Sequence, residues 1–100
     1  MLILHISTRA DWEGAQASGD YVGNTLSSEG FIHCATPDQL MHVLTKHFPI
    51  AVNHIILELD TDRVKSEIRW EGASDVFPRG FPHLYGPLNL DAVTRYKKLW

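Results

Sequence analysis

Four consecutive residues, Thr36-Pro37-Asp38-Gln39, constrain the fold more tightly than any other stretch of the chain. Threonine is a good N-cap, proline fits only the first helical turn, and aspartate complements the positive helix end. Glutamine three residues after the cap can reach back to the cap's own N–H. A helix therefore begins at Pro37 and runs to about Phe48, where Pro49 stops it. Its inner stripe is Leu40, Val43, Leu44 and Phe48, with Met41 and His47 at the margins. Whatever else the chain does, it must supply a surface for that stripe.

The surface is a sheet. From Met1 to Ser7 the residues alternate, Leu2, Leu4 and Ile6 against Ile3, His5 and Ser7, and from His54 to Asp60 they alternate again, Ile55, Leu57 and Leu59 against Ile56, Glu58 and Asp60. Phe31–Cys34 is a short apolar strand after a glycine turn. Glu67–Glu71 has Ile68 and Trp70 on one side and Glu67, Arg69 and Glu71 on the other. Phe81–Leu88, with two prolines, is extended but irregular, and Asp91-Ala92 turns into a last strand over Val93–Leu99. A second helix starts at the Thr8 cap with Asp11 in its first turn, is weakened by Gly14 and ends at Gly19. Residues 20–30 and 72–80 read as loops, the first with a short turn, and 61–65 as a helical turn. The expectation is one α+β domain over residues 1–100, with a mixed or antiparallel sheet of about five or six short strands and two helices packed on it. Its core is expected to hold Leu4, Ile6, Trp12, Ile32, Leu40, Val43, Leu44, Ile55, Leu57, Leu59 and Val93.

Composition narrows the function classes. With 44% hydrophobic and 21% charged residues in 100, the chain is ordinary globular protein. A net charge of −3 without a run of Lys or Arg argues against a nucleic-acid surface, so a small-molecule or nucleotide ligand is the expected partner. A lone cysteine forms no internal disulfide, and the chain opens on a strand pattern rather than a basic and apolar leader, which points to a reducing cytoplasm. No apolar run approaches the roughly 20 residues of a membrane helix. Nothing in the pattern speaks to oligomeric state.

Six histidines are the chemistry on offer. His42, His47 and His54 fall at helical or edge positions where solvent accounts for them. His5, His33 and His83 are each flanked by apolar residues in strand-like segments, so each needs a partner, and they are expected on the wall of one pocket with Glu71 in reach. The plain alternative is three separate hydrogen-bonded core histidines. A metal held by His5, His33, His83 and Glu71 is a lesser alternative, because no local zinc spacing occurs, and His42 and His47 lie about 140° apart around a helix. No metal is expected. If His33 faces the site, Cys34 faces the core and is inert. No glycine-rich phosphate loop is present, so a nucleotide would bind in another way. Trp12, Tyr21, Phe31, Trp70 and Tyr85 could stack on a ring, although aromatics more often build a core.

Over nearly its whole length the chain resembles the bacterial domain-of-unknown-function family 952. The resemblance rests on His5-Ile6 followed by Trp12, on Gly19-Asp20-Tyr21, on Glu29-Gly30-Phe31-Ile32-His33-Cys34, on Gln39 and on Trp70-Glu71. It continues through Phe81-Pro82-His83-Leu84-Tyr85-Gly86-Pro87-Leu88 with Ala92-Val93. Ala35, where serine is common, and Pro78-Arg79-Gly80 depart from the pattern. The family looks like a minimal relative of the ADP-ribosyltransferase fold, a split, curved sheet with a dinucleotide cleft, and this implies NAD as the ligand and cleavage or transfer at a glycosidic bond. Carried onto this chain, the resemblance implies His5, His33, Glu71 and His83 as catalytic residues. His5 would hold the ribose, Glu71 would stabilise an oxocarbenium-like centre with Glu29 as its rival, and His33 and His83 would serve as acid/base or phosphate donors. Trp12, Tyr21, Glu29, Gly30, Phe31 and Tyr85 would line the cofactor site, with Tyr21 or Tyr85 stacked on the nicotinamide. The competing class is a non-catalytic module that binds a metabolite with the same side chains.

Overall fold

The computed structural model describes residues 1–48 and 53–99, so the stop expected at Pro49 lies outside the described residues. In chain order the elements are β1 (Leu2–Thr8), α1 (Arg9–Ser18), β2 (Asp20–Tyr21), α2 (Leu26–Glu29), β3 (Ile32–His33), and α3 (Leu40–His47). They continue with β4 (His54–Asp60), β5 (Glu67–Glu71), β6 (Phe81–Tyr85), β7 (Leu88–Asn89) and β8 (Val93–Lys98). The strands form three antiparallel sheets, ordered β1-β4-β8, β2-β7 and β3-β6-β5. Reciprocal backbone hydrogen bonds between Leu4 and Ala35, 2.7 and 2.8 Å, stitch the first sheet to the exit of β3. The α+β class stands as expected. Among the described residues there are eight strands rather than five or six, because β2 and β7 are two-residue ribbons too short to show any alternation.

The two helices expected from sequence follow their caps, α1 directly and α3 after a 3-10 turn. The Thr8 hydroxyl accepts from the Asp11 N–H at 3.1 Å, and Gly19 closes α1 in the left-handed region at φ 97°. Ahead of α3, Pro37–Gln39 form a 3-10 turn, and the Gln39 side chain accepts from the Thr36 N–H at 2.9 Å.

The core lies between the first sheet and α1, and the register shows which face of β1 builds it. Ile3, His5 and Ser7 stand directly opposite Leu59, Leu57 and Ile55, and all six are buried. Directly opposed residues share a face. The expectation that Leu4 and Ile6 form the inward set of β1 is therefore inverted: they share the other face with Glu58 and Ile56, on the α3 side. Leu4 is still buried there, Ile6 half-buried, and Leu2 exposed. Trp12 and Ala15 of α1 complete the core face together with Tyr21, Ile32, Leu84, Leu88 and Ala92, and Val93 packs against it half-buried. Leu40, Val43 and Leu44, expected in the core, are only half-buried, because part of the α3 stripe looks into a cavity rather than onto packed side chains.

Candidate functional site

The third sheet, β3-β6-β5, alternates cleanly. Ile32, Leu84, Pro82, Ile68 and Trp70 take one face, while His33, His83, Phe81, Tyr85, Arg69 and Glu71 take the other. Register then places His33 beside His83 and His83 beside Arg69 in one row across three strands. Two histidines far apart in sequence become neighbours because antiparallel pairing equates their positions, and their ring centroids are 5.1 Å apart.

Each of these imidazoles has a carboxylate. Nδ1 of His83 donates to Oε1 of Glu71 at 2.9 Å, and the Tyr85 hydroxyl donates to the same oxygen. These two bonds, Tyr85 first, hold the Glu71 carboxyl below the ordinary carboxylate range, with the nearby Arg69 guanidinium helping. Conversely, the Glu71 carboxylate raises the Tyr85 phenol. Arg69 lies over the Tyr85 ring, 4.2 Å from its centroid, and pairs with Glu67 at 2.9 Å. His33 pairs through Nε2 with Glu29 at 3.2 Å. Phe31 packs flat on His83, centroids 4.2 Å apart with planes 15° from parallel, and fixes the ring plane. Among the described residues Nε2 of His83 has no hydrogen-bond partner, so a neutral, Glu71-oriented His83 offers that nitrogen as an acceptor.

His5 is built differently. Nδ1–H donates to the His33 carbonyl and Nε2 accepts from the Tyr21 hydroxyl at 2.8 Å, which settles the tautomer by its partners. Burial drives its pKa from 6.5 down to about 4, so the ring is neutral. Both nitrogens are occupied by the protein. His5 thus ties β1, β2 and β3 together and sets the strand that carries His33.

A cavity of about 320 Å³ opens between β1, β3, β6 and α3, at the lower end of small-molecule sites. His5, His33 and His83 all line it, with an apolar floor of Leu4, Ile6, Leu40 and Val43. Glu71, Glu29, Phe31 and Tyr85 do not line it; they stand behind the two imidazoles. Gly30 ends α2 at φ 88° and turns the chain into Phe31 and β3. Two residues expected as ring-stacking platforms are elsewhere. Trp12 packs in the core against Tyr96 at 5.7 Å, and Tyr21 is 1% exposed. Neither can meet a ligand face, because the core face of the first sheet needs their area. Cys34 points inward, as strand alternation requires, and burial pushes its thiol pKa up.

His42 and His47 are exposed, as expected, and with Lys46 they line the outer part of this cavity. The signal for them is the i, i+4 step between His42 and Lys46, next to the apolar stripe of α3. Five of the six histidines thereby share one cavity. Among the described residues no group of three or more His, Cys, Asp or Glu is placed to hold a metal ion, and no helix is long and apolar enough to cross a membrane.

Solved structures of similar chains exist. The crystal structure of protein CC0527 from Caulobacter crescentus is 34% identical, with a TM-score of 0.85 over 97% of this chain and 84% of that one. Its solution NMR structure gives 35% identity and a TM-score of 0.76 over 96% and 82%. No match is found among curated proteins. Residues 6–96 match the family model described as "Protein of unknown function (DUF952)", and the chain belongs to that family.

Proposed function

We propose that the chain is an enzyme of ADP-ribosyltransferase-like type that uses NAD or a related nucleotide and cleaves or transfers at its glycosidic bond. One observation carries this reading: two adjacent imidazoles, each oriented by its own carboxylate, sit on the wall of a cavity with an apolar floor. Such pairs are how proteins hold acid/base groups in place for proton transfer. The cavity takes one ring-and-ribose half of a dinucleotide, with the remainder over the rim.

In this reading Nε2 of His83 accepts the proton of a water or acceptor hydroxyl. The freed oxygen forms its bond to the ribose C1, and nicotinamide leaves with the electron pair of the broken C–N bond, so no oxidant or reductant is needed. Glu71 stabilises the imidazolium so formed, and Tyr85 keeps Glu71 ionised. His33, whose Nε2–H donates to Glu29, accepts a hydrogen bond from the ligand through Nδ1. His5 is a positioning residue. Relative to the roles implied by family resemblance, the carboxylates thus move from the reacting carbon to the imidazoles, because neither Glu71 nor Glu29 lines the cavity.

Incubation with NAD, following free nicotinamide, tests the proposal. Release that disappears in His83→Ala and falls in His33→Ala is expected. Saturable NAD binding without release would replace the enzyme by a binding module, and neither binding nor release would end the nucleotide reading.

A further inference from the structure

The α3 wall of the cavity carries three basic side chains, His42, Lys46 and His47. Among the described residues no Asp or Glu lines the cavity, although the chain has 12 acidic residues against 9 Lys and Arg. Four arginines are ion-paired, Arg9 with Glu13, Arg63 with Asp60, Arg69 with Glu67 and Arg95 with Glu58, and Arg79 lies over the Trp70 ring, whereas Lys65 and Lys97 have no ion pair among the described residues. Lys46 has no such partner among the described residues. His42 is held in place, edge-on to Phe77 at 5.1 Å and stacked over Phe81 at 6.2 Å. Lys46 and His47 also sit in the last turn of α3, where positive charge complements the helix dipole. That explains charge at a helix end, but neither His42 one turn earlier nor the exclusion of every carboxylate from the lining.

We propose that His42 and Lys46, assisted by His47, form a phosphate-binding subsite on the α3 wall of the cavity. The proposal rests on the reading of the cavity as a nucleotide site and names the part of it that holds the phosphate. Ammonium and imidazole are point donors that can surround a tetrahedral oxyanion from several directions, as a lysine does in phosphate sites. Asn24, also in the lining, adds a neutral amide donor, while the Thr25 hydroxyl beside it donates to the Phe31 carbonyl at 2.7 Å. His42, Lys46 and His47 are exposed, so the anion sits at the solvent rim of the apolar floor of Leu4, Ile6, Leu40 and Val43. A ligand that fits puts an apolar or aromatic ring on that floor and a phosphate at α3.

The test is an NMR titration of the full chain with inorganic pyrophosphate and, separately, with acetate, at ionic strength held constant with chloride. Saturable shifts at α3 and Asn24-Thr25 are expected, with acetate binding at least tenfold more weakly. Lys46→Ala should weaken pyrophosphate binding by about tenfold, the scale of one charge-assisted contact, with an otherwise unchanged spectrum, and Lys46→Arg should keep most of it. Arg95→Ala, which removes a cation outside the cavity, should bind pyrophosphate as the parent chain does. Equal pyrophosphate affinity in Lys46→Ala, equal affinity for acetate, or no saturable binding overturns the subsite. Lys46-dependent pyrophosphate binding without nicotinamide release keeps the subsite and removes the glycosidic reading; release without Lys46-dependent binding does the reverse.

Discussion

Nε2 of Gln39 donates to the carbonyl oxygen of Gly80 at 2.7 Å, a contact spanning 41 residues. One buried side chain therefore both starts the α3 segment, through the Thr36 N–H, and anchors the loop that leads into β6 and His83. Gln39→Ala leaves two backbone groups without partners, and the expected loss of stability is about 2–4 kcal/mol, read from urea unfolding. A loss under about 0.5 kcal/mol, the scale of an ordinary surface substitution, would mean that water replaces the amide at no cost.

Gly80 also has φ +76°, and a Cβ there would sit 2.2 Å from the Glu71 carbonyl oxygen. Gly80→Ala must push β5 away from its loop and disturb Glu71. A destabilisation of roughly 3 kcal/mol or more is expected, with loss of the Glu71–His83 contact visible in the His83 ring signals.

His5 makes stability depend on pH. Its pKa in the folded chain, about 4, lies below the ordinary 6.5, so the unfolded chain binds the extra proton between those values. Stability is then complete above about pH 6.5 and falls as pH drops toward 4, by on the order of 3 kcal/mol for this one group. Urea midpoints at pH 7 and pH 4.5 check the slope, and His5→Phe should flatten it whatever its effect at pH 7. Tyr21→Phe strands Nε2 of His5 without a donor and should cost about 1–3 kcal/mol.

Glu71 is held ionised chiefly by the Tyr85 hydroxyl. Tyr85→Phe should raise the Glu71 pKa toward the ordinary carboxylate value, measured by carbon NMR of its carboxyl group. Any activity that needs the carboxylate then fails at a higher pH on its acid side. An unmoved Glu71 titration would show that His83 alone sets it.

Cys34 is buried and its thiol pKa is raised by desolvation. Alkylation by iodoacetamide at pH 8 should be slow in the folded chain and fast in urea. Rapid labelling under native conditions would show that the cavity, which Cys34 helps to line, admits the reagent to the thiol.

Helix starts and strand segments were legible from local pattern, because the Thr8 and Thr36 caps, the Gly19 stop and the alternation of His54–Asp60 depend on contacts within a few residues. Period two says that β1 has two faces; it does not say which one meets the core. That choice came from pairing with β4, where Ile3 lies opposite Leu59 and His5 opposite Leu57. Tyr21 looks like part of a polar loop until β7 pairs with it and the core closes over it. His33 and His83 read as candidates from their apolar flanks, yet their adjacency, and the carboxylate behind each, come from the register of three strands. His42 and His47 read as solvated, and they are exposed, but nothing near them in sequence shows that α3 leaves a cavity over β1 beside them. Short-range hydrogen bonding is written into neighbouring residues, whereas which surfaces meet, and where they fail to fill space, is set by the packing of segments tens of residues apart.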